Sequence, residues 1–117
     1  MEKPEKSSKQ KVFTLLVEIG RKAGDGLPDE ATGAGLLVFA SGVDEPEAVR
    51  ETVALLKQAD TAPLDVTGYG TLEERLADGD DVSDEELALM QRALDENAVV
   101  VAQMEPFFGM RPTQNSA

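Results

Sequence analysis

The chain contains no cysteine and no histidine. Without cysteine it can form no disulfide, no thiolate metal site and no thiol nucleophile. Without histidine it lacks the usual general base near neutral pH and the commonest zinc ligand. A Ser-His-Asp triad, a zinc hydrolase centre or a histidine-carboxylate iron site therefore cannot be assembled from this chain alone. Aromatics are scarce too: Phe13, Phe39, Tyr69, Phe107 and Phe108 complete the set, with no tryptophan. The core has to be built mainly from Leu, Val and Ala. No apolar run approaches the roughly 20 residues that a membrane-crossing helix needs. The polar opening, residues 1–8, carries no cleavage-type stretch. These exclusions favour a binding protein over an enzyme, with no cofactor and a cytoplasmic location as the expectation.

Positive charge is also in short supply. Eleven basic residues face 23 acidic ones, for a net charge of -12. The imbalance is uneven, because Lys3, Lys6, Lys9, Lys11, Arg21 and Lys22 all lie within residues 1–23. Everything after them is strongly acidic. Such a body repels phosphate backbones and anionic lipid surfaces, which argues against nucleic-acid and membrane partners. It suits solubility, or a basic partner protein. Mimicry of a nucleic acid would need a regular row of carboxylates. Glu47 and Glu51 make one helical step, as do Asp81 and Glu85, but Arg50, Lys57, Arg75 and Arg92 interrupt the row.

What is present reads as one α/β domain over residues 11–108, between polar tails at 1–10 and 109–117. Phe13, Leu15, Val17 and Ile19 recur at period two, with Thr14 and Glu18 on the other side, and predict a strand ending at Gly20. Residues 21–35, with Gly24, Gly26, Gly33, Gly35 and Pro28, read as a long flexible connection. Leu36–Ala40 is apolar on both faces and predicts an interior strand. Asp44 and Glu47 form a capping-box start with Pro46 in the first turn, and the helix they open is expected to bury Val49, Val53 and Leu56, with Thr52 and Ala59 flanking. A third strand covers residues 63–70. A short helix follows, with Thr71 and Glu74 as capping pair. Ser83 and Glu86 cap a longer helix with Leu87, Met90, Leu94 and Ala98 as its stripe and Asn97 at its end. Val99–Met104 is the last strand, weakened at Pro106. The element order is β-β-α-β-(short α)-α-β. It predicts an α+β two-layer sandwich, a four-stranded mixed sheet with the two main helices on one face.

Three places invite a functional reading. Arg21 and Lys22 beside Gly24 and Gly26 could cradle an anion, although the Gly-Lys-Ser/Thr ending of a phosphate loop is missing. Tyr69, bracketed by glycines at a strand end, could form an acid–base pair with Asp65 or line a pocket with the 20–35 loop. Phe107, Phe108 and Met110 gather large apolar side chains near a polar chain end, as an interaction surface does. The acidic run 78–86 fits no calcium-loop register: counted from Asp78, the positions for glycine and glutamate hold Ser83 and Leu89. The leading expectation is a non-catalytic interaction protein that binds a protein partner or itself as a homodimer. A small-molecule regulatory domain and a nucleic-acid mimic are the alternatives.

Overall fold

A computed structural model describes residues 10–108 of the chain. Strands β1 (Lys11–Gly20), β2 (Ala31–Gly42), β3 (Ala62–Thr71) and β4 (Val99–Phe108) form a single sheet in the order β3-β1-β2-β4. Helices α1 (Glu45–Gln58), α2 (Leu72–Ala77) and α3 (Asp84–Glu96) join them in the expected element order. The fold is the α+β sandwich class that the sequence predicts, but the sheet is antiparallel throughout rather than mixed. The reason lies in the crossover. Helix α1 carries the chain over the β1–β2 hairpin, so β3 lands beside β1. The strands that run parallel, β2 with β3 and β1 with β4, are thereby kept apart.

The central strand β2 is apolar on both faces, and each face is covered by a different helix. On one face Leu15, Val17, Leu36 and Val38 are buried under α1, which contributes Ala48 and Leu56, with the fully buried Thr52 between them on its inner stripe. On the other, Phe39 is completely buried with Val100 of β4 beneath Met90 and Ala93 of α3. Burial of a side chain as large as Phe39 contributes about 1.5–3 kcal/mol. The two main helices thus lie on opposite faces, not on one, and the domain has three layers where the sequence predicts two. A strand bearing Val38 and Ala40 on one side and Phe39 on the other demands cover on both. The inner stripes are rotated accordingly. Helix α1 buries Ala48, Thr52 and Leu56, with Val49 and Val53 half-buried beside them, while α3 buries Met90 and Ala93 and leaves Leu87 and Leu94 partly exposed.

The helix ends follow the sequence closely. Asp44 accepts from the Glu47 amide at 2.9 Å, and Glu47 reaches back to accept from the Val43 amide at 2.7 Å. Thr71 and Glu74 complete a reciprocal box. Ser83 caps α3, and Asn97 closes it in the left-handed conformation at φ 49°. Arg75, on α2, then ties the layers together. Its guanidinium donates to Thr14 of β1 and pairs with Asp80 at 3.1 Å and Glu86 at 3.3 Å. Of the acids around the α2–α3 turn, Asp80 and Glu86 pair with Arg75, and Asp84 and Glu85 lie in the first turn of α3.

Candidate functional site

The β1–β2 connection is shorter than expected, residues 21–30, because β2 begins at Ala31. Gly33 and Gly35 belong to this strand. A Cβ on Gly33 would sit 2.4 Å from the Ile19 carbonyl oxygen, and one on Gly35 would meet the Phe107 ring at 3.2 Å. These glycines permit close approach, not flexibility. Gly24 and Gly26 do serve a turn, at φ 83° and 80°.

Within that loop the anion is already supplied by the chain. Asp25 accepts from the Lys22 amide at 2.8 Å and the Leu27 amide at 3.0 Å, and forms an ion pair with Arg21 at 3.0 Å. The Arg21 hydrogen bond, with the two backbone amides, lowers the Asp25 pKa to about 2. Arg21 also donates to the carbonyls of Pro28 and Ala31. The backbone amides and the guanidinium expected to hold a phosphate are thus committed to a neighbouring carboxylate, and Arg21 serves the hairpin. The side chain of Lys22 takes no part in that cradle.

Nor does the structure bring the loop and Tyr69 together. The loop adjoins Ala62, at the start of β3, whereas Tyr69 is the extra residue of a bulge between Gly68 and Gly70, opposite Thr14 and Leu15. Seven residues of strand separate the two, about 23 Å. Gly70 adopts φ 88° at that bulge. Tyr69 is 48% exposed. Asp65 pairs across to Glu18 and lines a different part of the sheet. No acid–base pair and no pocket between the loop and Tyr69 forms.

The aromatic end of the chain gives a clearer result. Strand β4 continues through Pro106 to Phe108, which an edge strand tolerates because the missing N–H costs no ladder bond on its open side. Phe107 is half-buried with its ring over Gly35, while Phe108 is 54% exposed. Met110 lies outside the described residues.

Phe107 forms one wall of an open cleft of about 340 Å³ whose lining comes from strands alone. Helices α2 and α3 cover the second face only around Thr14, Phe39 and Val100. Toward the hairpin no helix covers the sheet among the described residues. The strand register arranges that bare half in rows. One row runs Thr67–Leu16–Leu37–Gln103, and the next runs Asp65–Glu18–Gly35–Glu105. Leu16 is 41% exposed there. The missing side chain of Gly35 opens the floor between Glu18 and Glu105, and Phe107 leans into it. Neither Leu16 nor Leu37 is among the candidate residues read from the sequence. The available signal was Leu16 itself, an apolar residue on the side of β1 that otherwise carries Thr14 and Glu18.

Among the described residues no group of three or more acids is placed to hold a metal ion, and no helix is long and apolar enough to cross a membrane. The chemistry offered by the cleft is contact: an apolar strip beside carboxylates. No curated protein and no solved structure matches the chain. A family model described as "Domain of unknown function (DUF8846)" matches residues 12–108, the second residue of β1 to the last of β4, and the chain belongs to that family.

Proposed function

We propose that this protein is a non-catalytic interaction module, working in the cytoplasm, that docks another protein on the bare half of its second sheet face. One observation carries the reading. Exposed Leu16 sits beside half-buried Leu37, which also packs on the Phe39 cluster, and half-buried Phe107 reaches over Gly35 from the far side of the same cleft. No helix covers that cleft among the described residues, while the surface around Phe39 is sealed by α3. Apolar side chains grouped in this way on an uncovered sheet face mark a contact surface, and the polar rim of Thr67 and Gln103 fits the pattern of an interface edge. The homodimer expected through an exposed sheet edge or the Phe107–Met110 segment gives way in this reading to a different partner. A two-fold contact through the cleft would set two acidic rows against each other.

Site-specific photocross-linking in the cells that make the protein tests it. A photoreactive residue at Leu16 should give adducts heavier than the monomer, whereas the same residue at Gln58, on the solvent side of α1, should give none. Equal yields at the two positions would remove the reading, and the adduct mass separates a second copy from another protein.

A further inference from the structure

We infer that the partner seated on this face presents a basic amphipathic helix laid across the strands. This inference rests on the docking reading above and adds the chemistry of the occupant. Glu18 stands directly opposite Asp65, and Glu105 stands opposite Gly35, which in turn faces Glu18. Like charges directly opposite each other weaken a sheet. Among the described residues none of these three carboxylates joins an ion pair; those formed are Arg21–Asp25, Arg75–Asp80, Arg75–Glu86 and Arg92–Glu96. A cationic occupant relieves that repulsion, and an anionic one aggravates it. The row therefore discriminates against nucleic acid, anionic lipid and a second copy of this chain, whose net charge is -12.

Spacing selects the form of the occupant. The carboxylate row spans three strand intervals, about 14 Å. Helix positions i, i+3 and i+10 share one side and span about 15 Å. The apolar row of Leu16 and Leu37 runs parallel to the acids at about 7 Å along the strands, within the width of a single helix face. Lys or Arg at those three positions would meet Asp65, Glu18 and Glu105, and the adjoining apolar stripe would rest on Leu16 and Leu37, with Phe107 flanking the acids from the opposite side. This is helix-in-groove recognition with the groove floor supplied by a sheet.

The probe is a synthetic helical peptide with Lys at i, i+3 and i+10 and Leu on the neighbouring stripe. Its controls are the same composition in scrambled order and a version with each Lys replaced by Gln. Fluorescence anisotropy against the full chain should show binding at low salt, at least tenfold tighter than for either control and weakened at about 0.3 M salt. The triple variant Glu18→Gln, Asp65→Asn, Glu105→Gln keeps side-chain shape and should bind at least tenfold more weakly while unfolding at an equal or higher temperature. If the Gln peptide binds as well as the Lys peptide, or the triple variant binds unchanged, the cationic occupant is overturned. Absence of binding at about 1 mM peptide overturns it as well. In either case, cross-linking at Leu16 decides separately whether the docking face itself stands.

Discussion

At the residue scale the decisive positions are those where a small or charged side chain is required by its surroundings. Gly33 is the sharpest. Its place in β2 leaves 2.4 Å between a notional Cβ and the Ile19 carbonyl oxygen, a backbone atom that cannot swing aside. Gly33→Ala should therefore destabilise the fold by about 1–3 kcal/mol, the usual cost of overpacking. Gly24, with nothing within 4 Å of its notional Cβ but φ at 83°, should cost about 1–2 kcal/mol on substitution by Ala, through backbone strain alone. Urea unfolding midpoints of the two variants check this, and the crowding account fails if Gly33→Ala is neutral. The contrast also shows why the start of β2 was not legible in the sequence. Four glycines in fifteen residues look alike as letters. Only the packed structure separates the pair that turns the chain from the pair that lets neighbours approach.

At the scale of elements, the local signals were sound where short-range chemistry decides. The period-two burial of β1, the capping residues Asp44, Thr71 and Ser83, and the left-handed Asn97 all follow from interactions within a few residues. Whatever depended on long-range placement was not legible. The same stripe that predicts a helix does not say which sheet face the helix will cover. Rotation of α3 to bury Ala93 in place of Leu94 was set by Phe39 and Val100 beneath it. Arg75 belongs to this scale as well. It is only 12% exposed and links α2, α3 and β1 through Glu86, Asp80 and Thr14. Arg75→Met should cost about 1.5–3 kcal/mol, as expected for hydrogen bonds to charged groups with a partner left unsatisfied. Arg92→Met removes an exposed i,i+4 pair with Glu96 and should cost no more than about 0.5 kcal/mol. Thermal or denaturant unfolding of the two variants distinguishes them. Equal losses would mean that Arg75 does not hold the layers together.

At the scale of the whole molecule, the shape of the sheet and the distribution of charge act together. Helix α3 has 13 residues and extends about 20 Å, whereas ten-residue strands extend about 33 Å. A helix of that length cannot cover the full strand length from one end, and the second face is left half bare. The bare half keeps its apolar row and an acidic row that joins no ion pair among the described residues, in a protein that already carries excess negative charge. Of the candidate residues read from the sequence, Phe107 and Asp65 line this surface. Arg21 and Gly26 serve the hairpin, and Tyr69 stands apart. The absence of histidine and cysteine had pointed to binding over catalysis. The proposed docking surface is a strip whose members come from all four strands and are adjacent only through the sheet register.

Chemical-shift mapping on the isotope-labelled protein, titrated with the basic helical peptide, tests the central claim most directly. The account predicts that the largest amide shifts fall on Leu16, Leu37, Thr67 and Gln103 together with Glu18 and Glu105, with little change on α1. Shifts centred instead on the α2–α3 groove at Leu87 and Leu94, or spread evenly over the acidic surface, would contradict it.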